Sequence, residues 1–269
     1  MKVDLHLHTN ASDGTWTNEI LLQRIKEHHI TIFSITDHNT IENALLMREI
    51  CDEPGIVYIP GVELSCRHAG KEYHITAYAF DPAATDLRNL LASNQQILDR
   101  WLQAVMEYTA AATGAFTLEQ YRQYENDRSR GGNKAINFLL DLGVIATWEG
   151  FIKYAFDSGR TAEFPGAAAV IETVKRAGGR PILAHPSVYA GRPMEDKELA
   201  EWIELGIAGL ECFHPSAAAQ AEVQFYLDFC RKHDLMITGG SDCHGEFGRR
   251  RTIGQPEITL EMIRTDFIG

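Results

Sequence analysis

The chain has 269 residues, 45% of them hydrophobic and 23% charged, which allows a large core and excludes disordered and collagen-like classes. No apolar run approaches the roughly 20 residues that span a bilayer, and the polar start from Met1 to His6 differs from a signal peptide. The formal net charge of −12 disfavours long nucleic acids and anionic membranes as partners. We therefore expect a cytoplasmic protein with no membrane partner.

The first eighty residues alternate between strand-like and helical patterns. Thr17 is a suitable N-cap for a helix that runs to about His28. A second helix is predicted from about Ile41 to Cys51, and strands are predicted at 2–7, 31–36, 57–62 and 72–80. This βαβ alternation favours a parallel sheet with helices packed outside it.

The pattern changes between residues 87 and 159, where nearly every segment is helical and no strand is predicted. An arginine-rich stretch of mixed charge at 125–132 precedes a helix predicted at 133–142. We interpret 87–159 as an inserted small helical domain that forms a cap or contacts the substrate.

The alternation of helix and strand returns in the last third of the chain. Helices are predicted at 166–177, 196–205 and 217–233, and strands at 181–184, 207–213 and 235–238. The total of about seven strands indicates an α/β fold close to a (β/α) barrel with one unit missing or distorted. A doubly wound open sheet is the competing architecture. Residues 1–86 and 160–269 would form this catalytic domain.

Seven of the eleven histidines lie at or just after predicted strand ends. In a parallel α/β barrel the carboxyl ends of the strands form one rim, where active sites are built. His6 and His8 are two residues apart on a strand, so both rings point to the same side. We therefore expect seven histidines to converge: His6, His8, His38, His74, His185, His214 and His244.

Carboxylates accompany these histidines. Asp13 lies in Ser-Asp-Gly, Asp37 precedes His38, Glu63 closes the third predicted strand and Asp242 follows the last one. A carboxylate at the end of an apolar strand is costly to bury unless it is paired or binds a metal. The five cysteines form no Cys-x-x-Cys pair, which argues against a zinc ribbon. Imidazole and carboxylate without thiolate suit zinc, manganese or iron.

Six short motifs carry these residues. They are Asp-Leu-His-Leu-His-Thr at 4–9, Ser-Asp-Gly at 12–14, Thr-Asp-His at 36–38, Gly-Val-Glu at 61–63, Ala-His-Pro at 184–186 and Gly-Ser-Asp-x-His at 240–244. Together they resemble the PHP (polymerase and histidinol phosphatase) family. The resemblance implies a distorted (β/α)7 barrel, and the inserted helical segment is similar to that of free-standing bacterial phosphoesterases.

The resemblance also implies two to three divalent ions, with Mn²⁺ favoured and Zn²⁺ or Fe²⁺ as alternatives. By position, the first ion would be held by His6, His8, Glu63 and Asp242. Glu63 would bridge to a second ion held by His74 and His185, and a third would be held by Asp13, His38 and His244. Asp37 would orient a histidine instead of binding a metal.

The reaction that the resemblance implies is hydrolysis of a phosphate ester. A hydroxide that bridges the first two ions would attack phosphorus. His214 would contact the phosphate or protonate the leaving oxygen, with a simple position on the rim as the alternative. Four cations of the arginine-rich region would grip a second phosphate or remain solvated surface charges: Arg128, Arg130, Lys134 and Arg160.

The expected substrate is a small phosphorylated metabolite, either a nucleoside 3′,5′-bisphosphate or a sugar phosphate, including a cyclic one. A 5′-to-3′ exonuclease on short RNA uses the same chemistry and is the first alternative. An amidohydrolase that cleaves C–N bonds is disfavoured, because that family usually bridges its metals with a modified lysine where this chain has Glu63. A non-catalytic metal-binding regulatory module is the alternative of a different class, and the intact ligand set counts against it.

Overall fold

The computed structural model describes residues 1–189, 191–217, 219–248 and 251–268, which form a mixed α/β fold. The strands are β1 (Lys2–Asp4), β2 (Ile30–Phe33), β3 (Val57–Tyr58), β4 (Gly61–His68), β5 (Lys71–Tyr78), β6 (Arg180–Leu183), β7 (Gly209–Phe213), β8 (Met236–Gly239) and β9 (Ile258–Thr259). The helices are α1 (Asn18–Glu27), α2 (Glu42–Ile50), α3 (Thr85–Thr113), α4 (Leu118–Gln123), α5 (Lys134–Asp141), α6 (Glu149–Asp157), α7 (Ala167–Arg176), α8 (Asp196–Leu205) and α9 (Gln220–Lys232).

Two sheets carry the strands. One has the order β3-β2-β1-β9 and the other the order β4-β5-β6-β7-β8. Isolated parallel bridges join Leu7 to Cys243 and His38 to Glu63, so the two sheets also meet beyond the ends of β1, β2 and β8. The predicted α/β class is confirmed, and the strand ends that carry the histidines lie next to one another.

The purely parallel sheet expected from the early βαβ alternation is wrong for β4 and β5. These strands pair antiparallel over their whole length, and β5 also pairs antiparallel with β6. Only Ala69 and Gly70 connect β4 to β5, and two residues cannot form the crossover that a parallel pair needs. Parallel pairing holds for β1 with β2, for β2 with β3 and for β6 through β8.

The strand predicted at 57–62 is divided in the structure. Pro60 separates β3 from β4, because proline has no N–H to donate to a neighbouring strand. β4 then continues to His68, so Glu63 lies inside this strand and not at the end of the preceding one. His74 lies opposite Ser65 on the paired strand β5, which brings it to the same region as Glu63.

Most predicted helices form close to their expected bounds. Helix α1 begins after Thr17, whose side chain accepts the N–H of Ile20, and it buries Leu21, Leu22 and Ile25 against the sheet. The N-cap and the apolar spacing therefore predicted α1 correctly. Within the ranges that the structure describes, no helix combines the length and the apolar character needed to cross a membrane.

Helices α3 to α6 surround a hydrophobic cluster of their own. Helix α3 is 29 residues long, and its first half packs Leu87 and Leu91 into the main core. Its second half contributes Leu102 and Val105 to the separate cluster. One continuous helix thus links the helical segment to the sheets. The division of the chain at residues 87 and 160 stays a prediction.

Candidate metal centre at the strand ends

Polar residues from most of the strands converge in one volume. His6 and His8 follow β1, His38 follows β2, Glu63 and His74 lie on β4 and β5, His185 follows β6, His214 follows β7, and Asp242 and His244 follow β8. Backbone hydrogen bonds hold these segments together. The N–H of Asp242 donates to His6 O at 2.8 Å. The N–H of Glu63 donates to Asp37 O at 3.2 Å. The backbone therefore fixes the relative positions of the candidate ligands.

Glu63 lies at the middle of the centre and is fully buried. Its Oε2 is 3.2 to 3.3 Å from ring nitrogens of His6, His8 and His38. Its Oε1 is 2.9 Å from Nδ1 of His74 and 2.8 Å from Nε2 of His185. The two carboxylate oxygens therefore face two different groups of histidines, as a carboxylate that bridges two ions must.

Three sets of ligand-competent atoms each lie within 4.8 Å of one another. They are His6, His8, Glu63 and Asp242; His8, Asp13, His38 and His244; and His38, Glu63 and His74. Both ring nitrogens of His8 are buried and neither makes a well-aligned hydrogen bond among the described residues, although Nε2 lies 3.0 Å from Oδ1 of Asp242 and 3.3 Å from Oε2 of Glu63. A buried polar atom without a partner is costly, and a metal ion removes that cost. The donors present thus fit divalent ions.

All nine positions that the sequence predicted as ligands are brought together. His185 belongs to none of the three sets, but it contacts Glu63 and its ring centroid lies 5.5 Å from that of His74. Asp13 lies at the outer edge, with Oδ2 at 3.3 Å from Nε2 of His244. The donors form three overlapping sets, each of which could hold a metal ion.

Asp242 presents its two oxygens to different neighbours. Oδ1 lies 3.0 Å from Nε2 of His8 and 3.5 Å from Nε2 of His6. Oδ2 lies 3.2 Å from Nε2 of His214 and forms an ion pair with Arg251. Arg251 is a site residue that we did not predict, because its stretch of three arginines follows no strand directly.

Glu211 is the second site residue to which we assigned no role from sequence. Its Oε1 lies 2.9 Å from Nδ1 of His6, and its Oε2 accepts the N–H of His185 at 2.8 Å. Nε2 of His6 therefore faces Glu63. A carboxylate that holds the second nitrogen of a ligating histidine fixes the ring and raises its basicity. The available signal was a glutamate in the apolar strand β7, three residues before His214.

Asp37 bonds to the loop that follows β1, and its predicted role in orienting a histidine stays a prediction. Its carboxylate accepts hydrogen bonds from Thr9 N at 2.7 Å, Thr9 Oγ1 at 2.6 Å and Ser12 Oγ at 2.6 Å. These bonds fix the loop that leads to Asp13. Glu211 is a further carboxylate placed to orient a histidine, because its Oε1 bonds Nδ1 of His6.

Burial and charge compete for the pKa values of the histidines. Burial alone lowers the pKa of His6, but the charges of Glu211 and Glu63 outweigh it and raise the pKa to about 10. At His74, burial also lowers the pKa, but contacts with Glu63 and Glu72 outweigh it and raise the pKa to about 10. Burial prevails at His38 and lowers its pKa to about 3. Without a metal, His6 and His74 therefore carry protons at neutral pH, whereas His38 is neutral.

Two candidate ligands stand on strained backbone. The φ angle is 28° at His185 and 50° at Asp242, a left-handed conformation that costs side-chain-bearing residues about 1–3 kcal/mol. Gly240 lies just before Asp242, and a Cβ there would come within 2.4 Å of the backbone N of His6. Only glycine allows this approach, which places Asp242 against the histidines that follow β1.

His214 is buried, and its hydrogen bonds define its tautomer. Its Nδ1 accepts the N–H of Ser216 at 3.0 Å, so the proton of the neutral ring must be on Nε2. Nε2 lies 3.2 Å from Oδ2 of Asp242. The ring thus presents an N–H donor at the edge of the centre, where a leaving oxygen or a phosphate could accept it.

The predicted cations of the helical segment are held in different ways. Arg130 pairs with Asp141 at 2.8 Å and donates to the hydroxyl of Tyr124 at 3.1 Å. Nζ of Lys134 donates to Arg122 O at 2.9 Å. Arg160 bonds through its backbone: its carbonyl accepts from Trp101 Nε1 at 3.0 Å and its N–H donates to Ser158 Oγ at 3.1 Å. The centre itself is therefore not contacted by any of these three side chains.

Two cavities share Asp13, His38 and His74 in their walls. The inner cavity, of about 350 Å³, is lined by the centre together with Trp148, Phe247 and Arg251. The outer cavity, of about 600 Å³, extends towards the helical segment, and its basic wall residues are Arg122, Arg128 and Lys134. Two of the four predicted phosphate contacts, Arg128 and Lys134, thus line the outer cavity, whereas Arg130 and Arg160 line neither.

Comparison with known proteins gives a consistent result. A family model described as PHP domain matches residues 4–180. The 5′-3′ exoribonuclease Rnm of Salmonella typhimurium is 28% identical over 254 residues, which cover 90% of this chain and 84% of the relative. The phosphoribosyl 1,2-cyclic phosphate 1,2-diphosphodiesterase of Eggerthella lenta is 24% identical over 261 residues, which cover 93% of this chain and 97% of the relative.

Two further similarities concern a phosphatase and a solved structure. The 3′,5′-nucleoside bisphosphate phosphatase of Chromobacterium violaceum is 24% identical over 261 residues, which cover 95% of this chain and 91% of the relative. A crystal structure from Bifidobacterium adolescentis, described as a predicted metal-dependent phosphoesterase, superposes with a TM-score of 0.77 at 26% identity. The match covers 98% of this chain and 92% of that one.

Proposed function

Because the chain belongs to the PHP domain family, we propose that its strand-end centre hydrolyses phosphate esters of a small phosphorylated metabolite. The chain is a phosphate-ester hydrolase of the metal-dependent type, like the relatives named above. The observation that carries the proposal is the buried Glu63, whose two carboxylate oxygens lie within 3.3 Å of ring nitrogens of five histidines. The substrate and the metals are the proposed part.

The proposed metal ligands are the nine residues predicted from sequence. His6, His8, Glu63 and Asp242 would hold one ion, Glu63, His74 and His185 a second, and Asp13, His38 and His244 a third. Mn²⁺ is the first choice, with Zn²⁺ and Fe²⁺ as alternatives, because the ligands are imidazoles and carboxylates. When bound, such ions supply Lewis acidity that lowers the pKa of water and withdraws charge from phosphoryl oxygens.

The protein's own residues orient the reacting groups. Glu211 holds His6 so that Nε2 faces the centre, and Asp37 fixes the loop that carries Asp13. His214 presents its Nε2–H at the edge of the centre, where it can donate a hydrogen bond to the phosphate. Burial lowers the pKa of this ring to about 3, and a neutral ring is a poor acid, so the phosphate contact is the role we propose instead of protonation of the leaving oxygen. Trp148 and Phe247 in the wall of the inner cavity exclude part of the surrounding water.

The size of the cavities supports a small substrate. A volume of about 600 Å³ for the outer cavity falls within the roughly 300–1,000 Å³ typical of small-molecule sites. Arg128 and Lys134 in its wall could bind a second phosphate of the same molecule while the first lies at the centre. A nucleoside 3′,5′-bisphosphate has two phosphates and fits this arrangement, and a sugar phosphate, including a cyclic one, is the other candidate.

A 5′-to-3′ exonuclease on short RNA is the second candidate, and a third cavity favours it. This side cavity, of about 510 Å³, shares Arg128 and Gln95 with the outer cavity and adds Arg88 to the basic wall residues. A path with cations along it suits the phosphates of successive nucleotides. Rates that rise from a bisphosphate to a tetranucleotide would favour the exonuclease over the bisphosphate phosphatase.

A phosphate-release screen tests the proposal. Protein stripped of metal is reloaded with Mn²⁺, Zn²⁺ or Fe²⁺ and incubated with nucleoside bisphosphates, sugar phosphates, cyclic phosphates and short RNAs, so that cleaved esters are measured directly. We expect turnover with at least one ester, and loss of turnover in His8→Ala and Asp242→Ala. His68→Ala is the matched control, because His68 contacts Glu201 outside the centre. Metal binding without cleavage of any ester would instead favour a regulatory module.

A further inference from the structure

The inner cavity contains a permanently charged cation that does not come from the helical segment. Arg251 is the one arginine or lysine among the described residues that line this cavity. Asp13, Glu63 and Asp242 bring carboxylates to the same wall. A phosphoryl group at the centre would therefore meet a single guanidinium, and this guanidinium belongs to the segment that follows β8.

Arg251 contacts the centre on the side of His214. Its Nη1 forms an ion pair with Oδ2 of Asp242, donates to the carbonyl of Asp242 at 3.3 Å and lies 3.4 Å from Nε2 of His214. The other oxygen of Asp242 faces the opposite way, towards His8 at 3.0 Å. Asp242 can thus offer Oδ1 to a metal while Oδ2 holds the guanidinium in place.

Part of the guanidinium remains available to a ligand. All three contacts of Arg251 use Nη1, and within the described ranges neither Nε nor Nη2 has a hydrogen-bond partner. The side chain is 20% exposed, so these donors can reach a molecule in the cavity. A guanidinium carries five N–H groups in a fixed fork that matches two oxygens of a phosphate.

We propose that Arg251 is a catalytic residue that binds a non-bridging oxygen of the scissile phosphoryl group, next to the N–H of His214. This inference rests on the proposed function. Asp242 positions the guanidinium, and the guanidinium stabilises the negative charge that the phosphoryl oxygens carry during hydrolysis. Arg128 and Lys134 in the outer cavity are then left for a second phosphate of the substrate.

The competing role for Arg251 is structural neutralisation of Asp242. Three variants separate the two roles: Arg251→Gln, Arg251→Lys and the control Arg24→Ala. Arg24 lines a neighbouring cavity of about 270 Å³ together with Arg251, but it does not line the inner one. Binding of inorganic phosphate to manganese-saturated protein is measured by calorimetry, the affinity for Mn²⁺ is measured separately, and melting temperatures verify folding.

A phosphate contact predicts a specific pattern. Arg251→Gln weakens phosphate binding at least about tenfold, because hydrogen bonds to charged groups are strong. It lowers kcat on an active ester about 100-fold, as removal of a donor to a transition-state oxygen does. Mn²⁺ affinity stays close to wild type, Arg251→Lys recovers part of the phosphate affinity, and Arg24→Ala changes neither quantity.

Two outcomes distinguish this inference from the proposed function. Unchanged phosphate affinity in Arg251→Gln, with altered Mn²⁺ affinity, overturns the contact even if the wild-type protein hydrolyses esters. Wild-type protein that binds phosphate through Arg251 but hydrolyses no ester supports the contact and contradicts the proposed function. If Arg251→Gln does not fold, the phosphate affinity of Arg251→Lys decides, because a structural counter-ion role predicts wild-type affinity there.

Discussion

The strand-end centre and the helical segment hold their charged side chains in different ways. Glu63 is fully buried on a strand whose backbone is bonded to neighbours on both sides, so its carboxylate has one position available. Arg130 in the helical segment is 35% exposed and pairs with Asp141 of the same segment. The long, exposed side chain of Arg130 can move to pair with a nearby carboxylate. The short, buried side chain of Glu63 has no such freedom. The backbone therefore sets the position of this charged group in the centre, and a local ion pair sets that of Arg130 in the helical segment.

The largest effect is expected for Glu63→Gln, which keeps the size of the side chain and removes its charge. Metal binding and ester hydrolysis should both fall by more than about 100-fold, because even changes to outer partners of metal ligands typically cost 10–100-fold. Glu72→Gln is the comparison variant. Glu72 is 46% exposed and contacts Nε2 of His74 at 3.4 Å, so a loss of at most about tenfold is expected, at the lower end of that range.

Calorimetry with Mn²⁺ and a hydrolysis assay check this prediction on both variants. Equal losses in Glu63→Gln and Glu72→Gln would show that the centre is sensitive to any nearby charge and would remove the contrast between buried and exposed carboxylates.

The second effect concerns Glu211, which lies behind the ligands. Glu211→Gln should weaken Mn²⁺ binding about 10- to 100-fold, because the ring of His6 loses the partner that orients it. At saturating Mn²⁺ the rate should return towards wild type. Glu201→Gln changes the glutamate of a histidine pair outside the centre and should leave Mn²⁺ affinity unchanged. Wild-type affinity in Glu211→Gln would refute the orienting role.

The sequence predicted the centre better than its surroundings for a physical reason. Histidines such as His6, His38 and His185 come directly after strands. The carboxyl ends of neighbouring parallel strands lie close together, so the order of strands and histidines along the chain is enough to predict that these side chains converge. Glu211 was not predicted, because a glutamate in a buried strand has the same sequence pattern whether it binds a metal directly or orients a histidine that does. Arg251 was missed because a long side chain after a loop can reach several places.

In the helical segment the sequence predicted the helices but not the positions of the charged side chains. Sequence composition predicted a separate group of helices, but the positions of the cations depend on contacts that composition does not contain. Arg130 pairs with Asp141, eleven residues further along the chain, and the backbone of Arg160 bonds to the side chains of Trp101 and Ser158. The antiparallel pairing of β4 with β5 does not follow from the predicted strands, because their bounds at 57–62 and 72–80 leave a longer connection than the two residues, Ala69 and Gly70, that join the strands in the structure.

The third effect concerns the pH dependence of metal-free protein. The pKa of His6 and of His74 rises from the ordinary value of 6.5 to about 10 in the folded state. A raised pKa contributes stability that is fully present below the unfolded value and is lost as the pH rises through the folded one. The melting temperature of metal-free protein should therefore fall as the pH rises from about 6.5 to about 10.

Metal-loaded protein should not show this fall, because a ligating imidazole nitrogen is already deprotonated. Scanning calorimetry of both forms checks the prediction, and metal binding near pH 7 should release protons to the buffer. A metal-free protein whose melting temperature is constant over this range would contradict the protonation of these two histidines.

The smallest effects are expected for two arginines of the helical segment. Arg130→Ala removes an exposed ion pair with Asp141, so stability should fall by less than about 1 kcal/mol and KM should not change. Arg128→Ala should raise KM for a bisphosphate about two- to fivefold, because Arg128 lines the outer cavity. Steady-state kinetics on both variants decide the matter, and a larger KM effect for Arg130 would reverse their assignments.

The central claim is that the buried strand-end carboxylates and histidines bind the metals that drive ester hydrolysis. The most direct measurement is the rate of hydrolysis of the preferred ester as Mn²⁺ is returned to stripped protein, with metal content determined on the same samples and Asp242→Asn alongside. We predict that the rate follows bound Mn²⁺ in the wild type and is absent in a folded Asp242→Asn. Full turnover in the presence of chelator, or in Asp242→Asn, would contradict the account.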